Sequence, residues 1–387
     1  MMSVLSRGTV RRHAAISSVT VLILTLAATT TAAAVPLARS ADRTAGVPWR
    51  LAGPGWSVAE YSAASLRGTA KAKTVFYLVS PNGHRYAFYV TPTATAYPAL
   101  TLLDWSGDRR RVLAYRDVSD TTPTVVEQIS LVTGTVVSRF KLPAGVLPDG
   151  YTRPRGTSIL AVGFNRPGIY RYNLAGQLRR VLARRTSLGI LTALDSPSGT
   201  FLLSDTVTRL LRISHAGAIT RRIRIPASDL CGPVRWWTAT TALVSCFGQS
   251  PYGTERLWLV PSRSGAPRSL TPALRPHGLF EGYIDAWKLG RRLYLQADDA
   301  HDTLSIVRQF RGGARRTISV PGPAGVSDAI ITAHRGRLLL QSNIGGPGGP
   351  SSLFWFNPAT RSIRFIFRAA PGTDGVAGAI AYGYWNG

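Results

Sequence analysis

Acidic side chains are in short supply in this chain: 19 Asp and Glu stand against 46 Lys and Arg, a formal net charge of +27 over 387 residues. Lysine is scarce as well, confined to Lys71, Lys73, Lys141 and Lys288, so nearly all of the positive charge is arginine. Coding bias explains arginine in place of lysine but not the missing acids. The functional reading is attraction to a polyanion such as nucleic acid, anionic lipid or a phosphate-rich wall polymer. Catalytic signatures are missing too. There is no Gly-x-Ser-x-Gly elbow, no glycine-rich phosphate loop ending in Gly-Lys and no His-Glu-x-x-His, so no catalytic residue and no cofactor is assigned. Sustained helical periodicity is absent beyond residue 34, which points to an all-β chain.

What the N-terminus does contain is an export signature. Arg7, Arg11 and Arg12 precede an apolar run from about Ala14 to Ala28, and Ala32 and Ala34 occupy the positions a signal peptidase reads. The apolar core is short for a membrane span, which takes roughly 20 residues. The chain is therefore expected to divide into a signal peptide (1–34), a flexible leader rich in Ala, Arg, Gly and Pro (35–54) and a folded body (55–387). Export, to the medium or the cell envelope, makes nucleic acid an unexpected partner and reserves membrane attachment for an uncleaved signal segment.

The body is punctuated by hairpins at intervals of about 41 to 51 residues, within the range of propeller repeats. Outer turns are expected at Pro81-Asn82-Gly83, Thr133-Gly134, Ala175-Gly176, Ala216-Gly217, Ser264-Gly265, Gly312-Gly313 and Pro358-Ala359-Thr360, where Gly or Asn supplies positive φ. Inner turns are expected at Ser106-Gly107-Asp108, Arg155-Gly156, Ser198-Gly199, Thr238-Ala239, Leu289-Gly290 and Arg335-Gly336. The first unit has only three strands, and Val376 to Tyr384 reads as one unpaired strand. The expectation is a seven-bladed β-propeller, closed by the C-terminal strand pairing into the first blade beside Trp56. The nine tryptophans read as blade filling.

Leu102-Leu103-Asp104-Trp105-Ser106-Gly107-Asp108 resembles the repeat of TolB-like, WD40-like (PD40-type) exported propellers, and Ser196-Pro197-Ser198-Gly199 and Arg256-Leu257-Trp258-Leu259 are similar to other parts of it. The resemblance covers three or four of the seven units. It implies a non-catalytic scaffold in the cell envelope, hence an interaction module.

Two cysteines remain, Cys231 and Cys246. If the strands pair about a two-residue turn at Thr238-Ala239, position 231 falls opposite 246, and an oxidising compartment makes the pair a disulfide. No further Cys or His lies at a spacing that would complete a metal site. The second strands of six units end on or beside Asp117, Asn165, Asp205, Gln249, Asp298 and Asn343, and propeller geometry gathers these ends on one face with the fourth-to-first connections. Asp149, Asp302, Tyr97 and Tyr252 are expected in loops there, and of the histidines only His277 and His301 are placed to serve that face. Asp and Asn cap turns for purely local reasons; alternatively they form a binding face for a cationic or hydroxyl-rich ligand, opposite a basic face. Asp298-Asp299-Ala300-His301-Asp302 lacks the order and the bidentate Glu of a calcium loop, so no metal is assigned. The resulting expectation is a monomeric, non-enzymatic module binding an envelope protein or an anionic wall polymer. A secreted glycan or lactone hydrolase using the acidic face is the alternative, and a lectin-like binder using Tyr97 and Tyr252 is a third.

Overall fold

The computed structural model describes residues 46–382, apart from 66–73, 92–99, 117–120, 164–167, 184–192, 196–199, 207, 228–229, 248–255, 272–281, 299–303, 311–312, 322–326, 344–350 and 369–372. Among the described residues the regular structure is β, save for one 3-10 turn at Trp49–Leu51. Five separate four-stranded antiparallel sheets follow one another in chain order. They are β4 (Thr101–Trp105) to β7 (Val136–Leu142), β8 (Val146–Tyr151) to β11 (Leu178–Ala183), β12 (Ala193–Asp195) to β15 (Ile219–Arg224), β16 (Leu230–Thr238) to β19 (Arg268–Ser269), and β20 (Gly282–Leu289) to β23 (Arg315–Ile318). Eight further strands form two antiparallel groups. One is β24 (Ser327–His334), β25 (Arg337–Asn343), β26 (Ser351–Asn357) and β27 (Ser362–Phe367); the other is β28 (Thr373–Ala381), β1 (Ser57–Ser65), β2 (Thr74–Val79) and β3 (Arg85–Val90). A single parallel bridge, Ser351 to Gly375, joins the two groups.

Local sequence explains the meanders. All seven expected outer turns fall between the third and fourth strands of a group. Glycine provides the left-handed residue, as at Gly134 (φ 66°), and the residue closing the third strand takes up hairpin amides. Asn173 Oδ1 accepts from the amides of Ala175 at 3.1 Å and Gln177 at 2.8 Å, and Asn357 Oδ1 accepts from Ala359 at 2.9 Å. Several first strands carry a β-bulge, between Leu102 and Asp104, Pro148 and Gly150, Pro233 and Arg235, Tyr283 and Asp285, and Ile330 and Thr332. A bulge adds twist and re-aims the side chain that follows it.

Each group is apolar on both faces, so the core lies between sheets. Val58, Phe76 and Leu78 meet Leu102 and Val112; Leu113 and Val126 meet Tyr151 and Ile159; Leu160 and Ile169 meet Phe201 and Leu203. Leu202 and Leu210 meet Trp236 and Val244; Leu243 and Leu257 meet Tyr283 and Leu295; Trp287 and Tyr294 meet Leu338 and Leu340; Leu339 and Trp355 meet Ala59 and Val376. The run Leu338-Leu339-Leu340 serves two interfaces because successive strand residues point to opposite faces. Trp105, Trp236, Trp258, Trp287 and Trp355 are all buried.

The first and last described strands pair. β28 runs antiparallel to β1 from Ser65↔Thr373 to Ser57↔Ala381, and the Tyr382 amide extends the ladder to Trp56 O at 2.8 Å. Gly375 (φ 71°) approaches β26 so closely that a Cβ there would lie 2.2 Å from Ser351 O, which only glycine tolerates. Two expectations need correction. Residues 46–54 are packed and not a flexible leader: Val47 and Trp49 lie against the first cluster, Ala52 is fully buried, and Arg109 Nη1 donates to Ala52 O at 2.6 Å. Asp149 lies within β8 at its bulge and not in a loop.

Cys231 pairs with Cys246 in register and the two are disulfide-bonded. The route differs from the expected one. Thr238 faces Thr241, so Ala239-Thr240 forms the turn, and two one-residue shifts then bring 231 opposite 246. Closing a loop of this length stabilises by at most roughly 3 kcal/mol, and by less when the hairpin is already local. Replacing both cysteines by alanine should therefore lower stability by about 1–3 kcal/mol and abolish sensitivity to reductant. Denaturant unfolding with and without dithiothreitol checks this; a wild-type midpoint unmoved by reductant would contradict a formed bond.

Candidate functional site

Polar residues set beside the bulges tie the sheets together. Past the bulge of β4, Asp104 crosses to the next sheet: Oδ2 accepts from the Tyr151 amide at 2.7 Å, and Oδ1 accepts from Arg153 Nη2 at 2.7 Å. Arg153 Nη1 donates to Trp105 O at 2.9 Å, and the Arg153 amide donates to Asp195 Oδ2 in the sheet beyond. Asp195 Oδ1 lies 2.9 Å from His215 Nε2, whose ring stacks on Phe201 at 4.5 Å, and Trp236 Nε1 donates to Asp195 O at 2.7 Å. Past the bulges of β16 and β20, Arg235 Nε donates to Asp285 Oδ1 at 2.7 Å. Gln296 Oε1 accepts from the Ile330 amide at 3.0 Å, Gln341 Nε2 donates to Val376 O at 3.1 Å, and Glu60 Oε2 accepts from the Leu102 amide at 2.7 Å. Every apolar interface thus carries at least one buried polar tie.

Burial sets the protonation behaviour of these acids. It pushes Glu60 up to about 7, opposed by the Leu102 amide and the charge of Arg116. Asp195 is raised by burial against His215 and the Arg153 amide, and Asp285 is raised by burial against Arg235.

Charge is partitioned between inside and outside. The described acidic side chains are Glu60, Asp104, Asp108, Glu127, Asp149, Asp195 and Asp285, none of them fully exposed. Glu127 is typical: it is buried and meets Arg139 Nη2 at 3.0 Å and Arg116 Nε at 3.5 Å. Exposed cations lie on the outermost strands, with Arg139 and Lys141 on β7, Arg179 and Arg180 on β11, Arg222 and Arg224 on β15, Arg268 on β19, Arg316 on β23 and Arg364 on β27, and also at hairpins, as at Arg110, Arg155, Arg263, Arg291, Arg335 and Arg361. Exposed arginine therefore decorates both the outer edge of successive sheets and the hairpins that join their strands. Charged edge strands also discourage edge-to-edge pairing. The half-buried Arg221 of the same strand as Arg222 instead grips the neighbouring sheet, its Nη1 donating to Pro261 O and Nη2 to Gly265 O, both at 2.7 Å.

Asp117, Asn165, Gln249, Tyr252 and Asp302 lie outside the described residues, as do Tyr97, His277 and His301. The backbones of Asp205, Asp298 and Asn343 fall at the C-terminal ends of β13 (Thr200–Thr206), β21 (Arg292–Asp298) and β25, the second strands of their groups; their side chains are outside the description. Among the described residues no group of three or more His, Cys, Asp or Glu could hold a metal ion, and no helix is long and apolar enough to cross a membrane. The residues that sequence reasoning passed over are Glu60, Asp104, Arg153, Asp195, His215, Arg235 and Asp285. The signal was present: Leu103-Asp104-Trp105, Leu194-Asp195-Ser196 and Ile284-Asp285-Ala286 each put one acid into an apolar strand, where it must be paired.

No protein-family model and no curated protein matches this chain. Solved structures do. The β-propeller domain of the Trilobed protease from Pyrococcus furiosus aligns with a TM-score of 0.53 at 9% identity, over 83% of this chain and 94% of that one. A puromycin-hydrolysing peptidase of Mycobacterium tuberculosis aligns at TM-score 0.52 and 16% identity, over 87% of this chain and 56% of that one. Oligopeptidase B from Leishmania major aligns at 0.51 and 10%, over 83% and 49%. The chain spans about half the length of those two peptidases. Likeness at this level establishes the β-propeller fold and nothing of activity.

The buried acid Glu60 gives a pH test. Its ordinary value is 4.5 and its folded value about 7, so between these limits the native state keeps a proton that the unfolded chain has released. Stability should therefore fall as pH rises through that window, by roughly 3 kcal/mol in total. Glu60→Gln should match wild type near pH 4.5 and be more stable by about 2–3 kcal/mol at pH 8. Denaturant titrations at both pH values decide; a difference independent of pH would contradict this assignment.

Proposed function

We propose that the chain is a seven-bladed β-propeller closed by its own tail, acting outside the cytoplasm as a non-enzymatic binding module whose arginine rim meets an anionic wall polymer of the envelope. The cyclic order of the seven apolar clusters supports the blade count, since the last returns from Leu339 and Trp355 to Ala59 and Val376. On this reading the eight-strand group is two blades touching at Ser351 and Gly375. The disulfide and the export signature fit an oxidising compartment, and the TolB-like repeats fit a scaffold. The observation that carries the proposal is the partition of charge: none of the described acids is fully exposed, while Arg179, Arg180, Arg222, Arg224, Arg316 and Arg364 stand exposed on outer strands. Such a surface attracts repeating negative charge strongly at low salt.

A secreted glycan or lactone hydrolase is the second reading. It is favoured by the Asp195–His215 pair, because a carboxylate that orients an imidazole is the arrangement a general base uses. A substrate screen in which wild type turns over and His215→Ala does not would support it.

For the binding module, retention on immobilised wall polymer should fall at least tenfold between about 50 and 200 mM salt, as counterions screen the rim. Arg179→Glu, Arg222→Glu and Arg316→Glu together should abolish it with the fold intact by circular dichroism. Salt-insensitive retention, or none at low salt, would overturn the polymer assignment.

A further inference from the structure

Arg235 differs from the other inward arginines. It is 6% exposed, its Nε donates to Asp285 Oδ1 at 2.7 Å, and its guanidinium carbon lies 3.7 Å from the ring centroid of Trp287 and 5.5 Å from that of Trp237. Those contacts fix the plane and direction of the group but use only one of its five N–H donors. Nη1 and Nη2, carrying the other four, are shielded from solvent and have no hydrogen-bond partner among the described residues. In Arg171, Arg212, Arg256, Arg308 and Arg315, by contrast, Nε alone is both shielded from solvent and without a partner among the described residues. Arg153, the corresponding cation between other sheets, spends Nη1 on Trp105 O and Nη2 on Asp104.

A buried donor without a partner costs about 1–3 kcal/mol, more when charged, and here two nitrogens of one cation are left so. The polar ties between the other sheets are satisfied across the interface, so this is a local departure and not the habit of the fold. The free end of a guanidinium presents parallel N–H groups that match two oxygens of a carboxylate or phosphoryl group. Trp287 beneath the plane and Asp285 at Nε hold that fork in one orientation before anything binds, which lowers the ordering cost of association.

We propose that Nη1 and Nη2 of Arg235 form a receptor for a small oxyanion, the carboxylate or phosphoryl head of a ligand that enters between β16 and β20. The site is independent of the rim, since it lies between two sheets and uses none of the exposed arginines. A trapped water would satisfy the fork equally, and the two occupants differ in their response to anions.

The test is thermal unfolding in formate and, separately, inorganic phosphate, at ionic strength held constant with sodium chloride. Wild type and the rim control Arg222→Gln should gain about 2 °C for each tenfold rise in anion above its Kd, and Arg235→Gln should show no such gain. The anion giving the larger rise identifies the head group. Equal responses in all three proteins, or none in any, would overturn the site. Should Arg235→Gln fail to fold, wild-type crystals soaked in selenate provide the second arm. An anomalous peak within hydrogen-bond distance of Nη1 or Nη2 is expected, and water density alone would contradict the proposal.

Discussion

A sheet that is apolar on both faces cannot stand at the end of a row. Each four-stranded group here must be covered twice, and chain order supplies a neighbour on each side for every group except the first and last. Those two cover each other, with Leu339, Leu353 and Trp355 against Ala59, Val79 and Val376. Covering them requires the tail to come back, and β28 does so by pairing along β1. The hydrophobic effect sets the requirement; the ladder from Ser57 to Ser65 and the absent side chain at Gly375 make it geometrically attainable. Val47, Trp49, Ala52, Trp56 and Tyr382 pack on the cluster between the first two groups, so segments flanking β1 and β28 help to cover that interface.

Apolar faces alone do not fix how one sheet sits on the next, because many offsets bury similar area. The polar ties supply direction. Asp104 reaches the Tyr151 amide and Arg153, Glu60 reaches Leu102, and Arg235 reaches Asp285. Each bond would be lost by a shift of one residue, leaving a buried charge or amide unpaired. Bulges in the first strands place Asp104, Arg235 and Asp285, so irregularities in the ladder contribute to the specificity of the packing. The same arrangement consumes the few carboxylates internally and leaves the outside to arginine.

Hairpins were legible in the sequence because glycine, asparagine and serine are required where the backbone turns; Gly134 and Asn173 are read as easily in one dimension as in three. The returning strand was legible from its own alternation, although it begins at Thr373, before the apolar stretch that drew attention to it. The cysteine pairing illustrates a partial success. The expected turn was displaced by one residue, and two register shifts cancelled the displacement. Bulges leave no comparable mark, so the side chains they aim across interfaces, Asp104, Arg235 and Asp285, were passed over in favour of acids near loops. Asp117, Asn165, Gln249, Tyr252 and Asp302 fall outside the described residues, and their proposed role stands on sequence alone.

Both the rim and the Arg235 fork presuppose a sealed ring, for an open one would expose the apolar faces of its end sheets and let the inner strands splay. Amide hydrogen exchange along β28 interrogates that seal without altering the molecule. If the tail is integral, the amides of 376–381 will exchange only with global unfolding, at the same free energy as those of Leu338–Leu340 in the adjoining sheet. Exchange of 376–381 orders of magnitude faster than that of Leu338–Leu340 would show a strand that detaches on its own, and would contradict the closed propeller.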